Sequence, residues 1–477
     1  MLLSNQMGAE QVELPQLTIK LATEMMRTGK LSCEEYVGEL IERAERDADL
    51  NAFTHFEPES VRAAARQADL NLVAGRTLGP LHGIPLAIKD CIDVAGLATT
   101  GGTPALRDHV VNRTAPLVQK LKDAGAIVFG KTNMYELAFG ITSSNEFTGP
   151  VKNPHDRRRS AGGSSSGSAA AVAAGFVPGA IGTDTAGSVR IPASHCGIFG
   201  FRPSSGRYDS TGIMPLFPTR DVPGLMARTV MDLQLMDAVL SGDGSTPSID
   251  LPSLRLGLPG PYFLDELETG VAAEFGHMLA QLRSYGVTIV QADLHDLARS
   301  LDELSGPIRA WELPRSLAEY LETSGAGIGF DALIAGIAGP YVREEFAQAL
   351  REANAEDLAE RYRHVVSVAL PGFRKKYLDH FKEFKLDAII FPTTPILATA
   401  LGDEGDVVVD DQAVPVWRTM RNTVPASFYG APGVTFPAAN RVQGVPVGVE
   451  IDGLPGKDKK VLAIAAAMEA RHLRRNW

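Results

Sequence analysis

Behind Ser32 the apolar positions Tyr36, Leu40 and Ile41 recur at helical spacing, and Ser32 followed by Glu35 has the form of a capping box. This pattern predicts helices from Leu17 to about Leu70. From Leu81 the texture changes. GIPLAIKD is a short β-like run ending in charge, and KLKDAGAIVFGKTN reads as helix end, glycine turn, strand and glycine turn. VPGAIG (Val177–Gly182) and GIFGF (Gly197–Phe201) are further apolar runs bounded by glycine. Beyond Ser253 come LRLGLPG, a helix near Val271–Tyr285, and VTIVQADL. Leu297 to Phe384 is charged, helical in pattern and free of strand signals. KLDAIIFPTTP and VPVGVEIDGLPG return to strand, and a helix from Asp458 closes the chain.

Alternation of this kind predicts an α/β fold, with one large mixed sheet flanked by helices. The expected organisation is an N-terminal helical segment over 1–70 and an α/β core over 71–477. A mostly helical insertion at about 297–384 caps the sheet.

Composition narrows the class. The 477 residues are 44% hydrophobic and 22% charged, ordinary for a globular protein able to bury a core without metal or disulfide. A formal charge of −11 argues against a nucleic-acid partner, which usually leaves a basic footprint. Cys33, Cys91 and Cys196 lie far apart and form no CxxC pair, which fits a reducing compartment and gives no zinc signature. The start MLLSNQMGAEQVELPQ lacks the pattern of a secretory signal, and no run reaches membrane-helix length, so a cytoplasmic enzyme without a membrane partner is expected.

One stretch stands out: AGGSSSGSAAAVAAG, Ala161 to Gly175. The strong helix former SAAAVAA follows it directly, so it reads as a loop feeding a helix rather than as a linker. A helix N-terminus suits a phosphate, but neither G-x-x-x-x-G-K-[ST] nor G-x-G-x-x-G fits. Gly163-x-Ser165-x-Gly167 has the form of a nucleophile elbow, yet Asp156-Arg157-Arg158-Arg159-Ser160 before it is no central strand.

A second segment, TDTAGSVRIPASHCGIFGFRP (Thr183–Pro203), changes the reading. With GGSSSGS and HGIPLAIKD upstream, it resembles the amidase signature family, whose pattern is GGSS-x-GS, then G-T-D-x-x-G-S-x-R-x-P-A, then C-G-x-x-G-x-[KR]-P. The resemblance runs from about residue 20 to the C-terminal helix, through KTNMYELAFGITSSN and VPVGVEI.

The resemblance implies a Ser–cis-Ser–Lys triad. Ser188 is then the nucleophile, Ser164 the bridging serine after a cis peptide bond, and Lys89 the base. A lysine serves as base only where its ammonium form is disfavoured, and the apolar run IPLAI can carry Lys89 into such a place. Backbone N–H groups from Thr185, Ala186, Gly187 and Ser188 are the expected oxyanion hole. Gly163 is expected to relieve crowding at the peptide bond before Ser164, and Asp184 and Arg190 to hold the turn. Ala186 and Ser166 stand where the family often has glycine. His195, seven residues beyond Ser188, is expected to be a packed histidine. No metal or organic cofactor is required.

FGITSSN and the segment from CGIFGFRP to GLMART look most like the arylalkyl amide hydrolases of this family. They imply a small aromatic carboxamide as substrate. Candidate pocket residues are Met134, Tyr135, Thr142, Trp311, Tyr341, Trp417 and Phe428. Three alternatives stay open: the A subunit of a tRNA-dependent amidotransferase, a carbamate or biuret-type hydrolase, and a binding module with a vestigial site. A homodimer is also left open.

Overall fold

Two parallel strands at one end of a long sheet set the geometry of everything that follows. In the computed structural model, which describes residues 13–472, β2 (Pro85–Lys89) lies between β3 (Ile127–Thr132) and β4 (Gly179–Asp184), all three parallel. Leu86 pairs with Gly179 and Ile88 with Ile181, so the carboxyl ends of β2 and β4 open at the same edge of the sheet. Crevices beyond such carboxyl ends are where parallel arrangements place ligands.

The remaining strands are β1 (Phe53–His55), β5 (Phe199–Arg202), β6 (Val222–Ala227), β7 (Arg255–Leu258), β8 (Thr288–Gln291), β9 (Ala388–Pro392), β10 (Asp406–Val409), β11 (Gln412–Pro415), β12 (Gly433–Pro437) and β13 (Gly448–Asp452). Eleven strands form one mixed sheet in the order β1-β3-β2-β4-β6-β5-β12-β13-β9-β7-β8, while β10 and β11 form a separate hairpin. The fold is thus α/β, with a single large mixed sheet flanked by helices. Among the described residues no helix is long and apolar enough to cross a membrane.

The Ala-rich run forms the helix Ser166–Ala173, whose residues 166–172 are all buried. Its small side chains allow close approach. A Cβ on Gly167 would stand 2.2 Å from the Ala52 carbonyl oxygen and 2.6 Å from the Asn133 nitrogen. This seats the preceding loop, with Ser164 in it, at the open edge.

The structure differs from the expectation in several strands. The described part of the N-terminal segment contains a strand as well as helices: β1 pairs antiparallel with β3, and Phe53 and Phe56 pack on Phe129 with ring centroids 5.6 and 4.9 Å away. The pattern does not predict β6, which contains Pro223 and Gly224, nor β12 or the β10–β11 hairpin. Between β8 and β9 residues 297–384 are helical without a strand, led by the helices Leu297–Ser324 and Pro340–Ala353. Arg309 on the first joins Glu345 and Glu352 on the second at 2.9 and 2.7 Å.

Candidate active site

Lys89 ends β2 and is fully buried. Its Nζ donates to Ser164 Oγ at 2.8 Å and to Thr183 Oγ1 at 2.7 Å. Burial pushes its pKa from the ordinary lysine value down to about 8, and the charges of Cys91, Asp184 and Asp221 pull it back only in part. At a pKa of about 8 a fraction of the Lys89 amine is neutral near physiological pH, and that fraction grows as pH rises.

Ser164 follows Gly163 through a cis peptide bond. A Cβ on Gly163 would lie 1.9 Å from the Thr142 carbonyl oxygen, so only glycine fits against that neighbour. The expected role of Gly163 at the peptide bond is thereby joined by a second reason, close backbone packing. Ser165 ties the loop to β4, its Oγ donating to the Thr183 carbonyl at 3.2 Å. Ser166 is buried, and its Oγ has no partner among the described residues.

After Asp184 the chain leaves β4 through the turn Thr185–Ser188 and enters the helix Arg190–Cys196. The carbonyl of Ser188 accepts from Ser165 N at 3.2 Å, which clamps the turn to the Ser164 loop. Gly187 has φ +129°, and a Cβ there would meet Thr423 Oγ1 at 2.2 Å. Among the described residues no hydrogen bond joins Ser188 Oγ to Ser164 Oγ. Contacts of this kind commonly tighten only once substrate is bound.

One expected donor is corrected. The Gly187 N–H is taken by Asp184 Oδ1 at 3.0 Å, which removes it from the oxyanion set. The N–H groups of Thr185, Ala186 and Ser188 make no hydrogen bond among the described residues.

Beneath the turn lies a buried charge network. Asp184 accepts from Arg190 at 2.9 and 3.0 Å, from Arg202 at 2.9 Å and from Val189 N at 3.2 Å. Burial alone raises a carboxyl, but the Arg190 and Arg202 charges and these hydrogen bonds outweigh it and hold Asp184 well below the carboxylate range. Arg190 also reaches Glu450 at 2.6 Å. His195 is buried, both ring nitrogens lack hydrogen-bond partners among the described residues, and burial pushes it down to about 4.

Ser188 faces a cavity of about 420 Å³ lined by Phe139, Leu216, Phe217, Arg220, Tyr341 and Trp417, among others. A second cavity, of about 370 Å³, shares Ala138, Thr185 and Leu216 with it and reaches Thr183. Of the candidate pocket residues, Tyr341 and Trp417 line the Ser188 cavity, with ring centroids 5.1 Å apart. Five others do not line it. Tyr135 and Thr142 are drawn away by Glu404, to which their hydroxyls donate at 2.7 and 2.5 Å. The Tyr135 ring packs behind Gly140. Met134 is buried against Gly102. Trp311 stacks on Tyr362 at 5.1 Å, and Phe428 lies behind Arg220 at 4.6 Å.

Thr183 and Arg202 were missed as site residues. The signal for Thr183 lies in the Thr183–Pro203 segment itself, where it stands one residue before Asp184.

A family profile described as Amidase matches residues 35–462. The chain is 38% identical over 458 residues to an indoleacetamide hydrolase of Agrobacterium vitis, covering 96% of this chain and 97% of the relative. It is 38% identical over 475 residues to a mandelamide hydrolase of Pseudomonas putida, covering 97% and 92%. A solved structure described as an amidase superposes with TM-score 0.83 at 32% identity, covering 96% of this chain and all of the other.

Proposed function

This chain belongs to the amidase family of amide C–N hydrolases, and we propose that it converts a small aromatic or arylalkyl carboxamide into the carboxylic acid and ammonia. The observation that carries the reading is the buried Lys89 amine, 2.8 Å from Ser164 Oγ and beside the turn that presents Ser188 to an aromatic-lined cavity. The names of the two hydrolases at 38% identity support the substrate class.

In the proposed reaction the neutral Lys89 amine takes the Ser164 hydroxyl proton while Ser164 takes that of Ser188. Ser188 Oγ then bonds to the amide carbon, and the carbonyl electrons move to oxygen. The unengaged N–H groups of Thr185, Ala186 and Ser188 receive that charge. Collapse breaks the C–N bond, the nitrogen leaving with the proton returned through Ser164. Water repeats the sequence on the acyl ester and frees Ser188. Asp184, Arg190 and Gly163 act by holding the turn and the loop.

The test is ammonia release across arylacetamides, anilides, glutamine and carbamates. Turnover of arylacetamides by the isolated chain, lost in Ser188→Ala, is the expected result. Hydrolysis of glutamine alone would contradict the substrate class.

A further inference from the structure

Arg220 lines the Ser188 cavity and is 9% exposed, yet among the described residues its guanidinium has neither a carboxylate partner nor a hydrogen-bond acceptor. Its Nε is enclosed and unpaired. The other arginine on this wall, Arg309, is neutralised by Glu345 and Glu352. The rings of Phe217 and Phe428 flank the Arg220 guanidinium at 4.5 and 4.6 Å, which steadies the cation but leaves its in-plane N–H donors unanswered. The charges of Asp221 and Glu312 reach Arg220, but among the described residues neither acid forms an ion pair or hydrogen bond with it, and both are engaged elsewhere. Asp221 accepts from Thr185 Oγ1, Leu216 N and Phe217 N, and Glu312 accepts from Thr219 and Tyr362. A buried guanidinium without a hydrogen-bond acceptor is costly in an apo protein and is an anchor for an anion when a ligand enters.

Arg220 is also held at a fixed offset from the nucleophile turn. Its carbonyl accepts from Arg202 at 2.8 Å, and Arg202 in turn binds the Asp184 carbonyl and carboxylate at 2.6 and 2.9 Å. Asp221 pins the other side of the same loop to Thr185 at 2.7 Å. The backbone that carries Arg220 and the turn that carries Ser188 are therefore tied into one hydrogen-bonded frame, as a specificity contact requires.

We infer that Arg220 receives a carboxylate on the acyl part of the substrate, so that the preferred amide is the monoamide of an aromatic dicarboxylic acid. This rests on the reading of the Ser188 cavity as an aromatic-amide site. The carboxylate takes the in-plane N–H groups while the aromatic ring fills the space between Phe217, Tyr341 and Trp417.

The experiment compares kcat/KM for 4-carboxyphenylacetamide, its methyl ester and phenylacetamide in the wild-type chain and in Arg220→Gln. Wild type should favour the carboxylate over the ester by about 10- to 100-fold, the scale of one charge-assisted hydrogen-bonded pair, and Arg220→Gln should erase that ratio. Equal ratios in the two proteins overturn the inference. Calorimetric binding of 1,4-phenylenediacetate decides the matter apart from turnover. Binding at least tenfold weaker in Arg220→Gln supports the inference, and equal binding overturns it. If wild type binds this diacid through Arg220 yet hydrolyses none of the three amides, the aromatic-amide function fails and the anion site stands.

Discussion

Lys89 and Lys131 stand on neighbouring parallel strands, with Ile88 paired to Lys131, and both are fully buried. Lys131 lies 3.3 Å from Asp90 Oδ1 and donates to the Ala98 carbonyl at 2.8 Å, so its charge is answered by a carboxylate. Among the described residues the Lys89 amine hydrogen-bonds only to the hydroxyls of Ser164 and Thr183. The same residue type at the same depth is thereby a structural ion pair on one strand and a proposed base on the next. What separates them is the charge of the acceptor, since burial is common to both.

The largest effect is expected where the comparison is broken outright. Lys89→Met should lower kcat/KM for amide hydrolysis by about 10²- to 10⁴-fold, the usual contribution of a positioned base, without loss of folding. Activity within tenfold of wild type, measured by ammonia release, would break the distinction between the lysines. Gly163→Ala drives a Cβ against the Thr142 carbonyl and displaces Ser164 from Lys89. A loss of about 100-fold follows from a misplacement of that size.

Removing the carboxylate from the other lysine should act on stability instead. Asp90→Asn leaves the Lys131 charge buried without its partner and should cost about 3–5 kcal/mol in denaturant unfolding. The midpoint of the pH–activity curve should stay at its wild-type position. Thr183→Val sharpens the comparison most gently. It removes one acceptor that favours the ammonium form of Lys89, so the activity limb should move to lower pH and kcat/KM should fall by less than about tenfold.

The sheet and the two serine loops were legible in the sequence because short-range features define them: glycine-bounded apolar runs, the Ala-rich helix and the Thr183–Pro203 segment. Lys89 was legible only through its motif, since the parallel register that brings β2 beside β4 is not written in either strand alone. The cavity wall was the least legible part. Tyr341, Trp417, Arg220 and Ser188 come from four separated segments, and whether an aromatic side chain lines the space depends on distant partners. Glu404 removes Tyr135 and Thr142 from it, and Tyr362 removes Trp311. The oxyanion set was misjudged at Gly187 for a similar reason, because a sequence does not show that Asp184 folds back onto that N–H.

The central claim is that Lys89 acts as a neutral amine, and the pH dependence of kcat/KM on a neutral arylacetamide tests it most directly. The base works when deprotonated, so activity should be lost as pH falls through about 8 and should be restored above it, with an apparent pKa well below that of free lysine. A profile that stays flat from pH 9 down to mildly acidic pH would contradict the account.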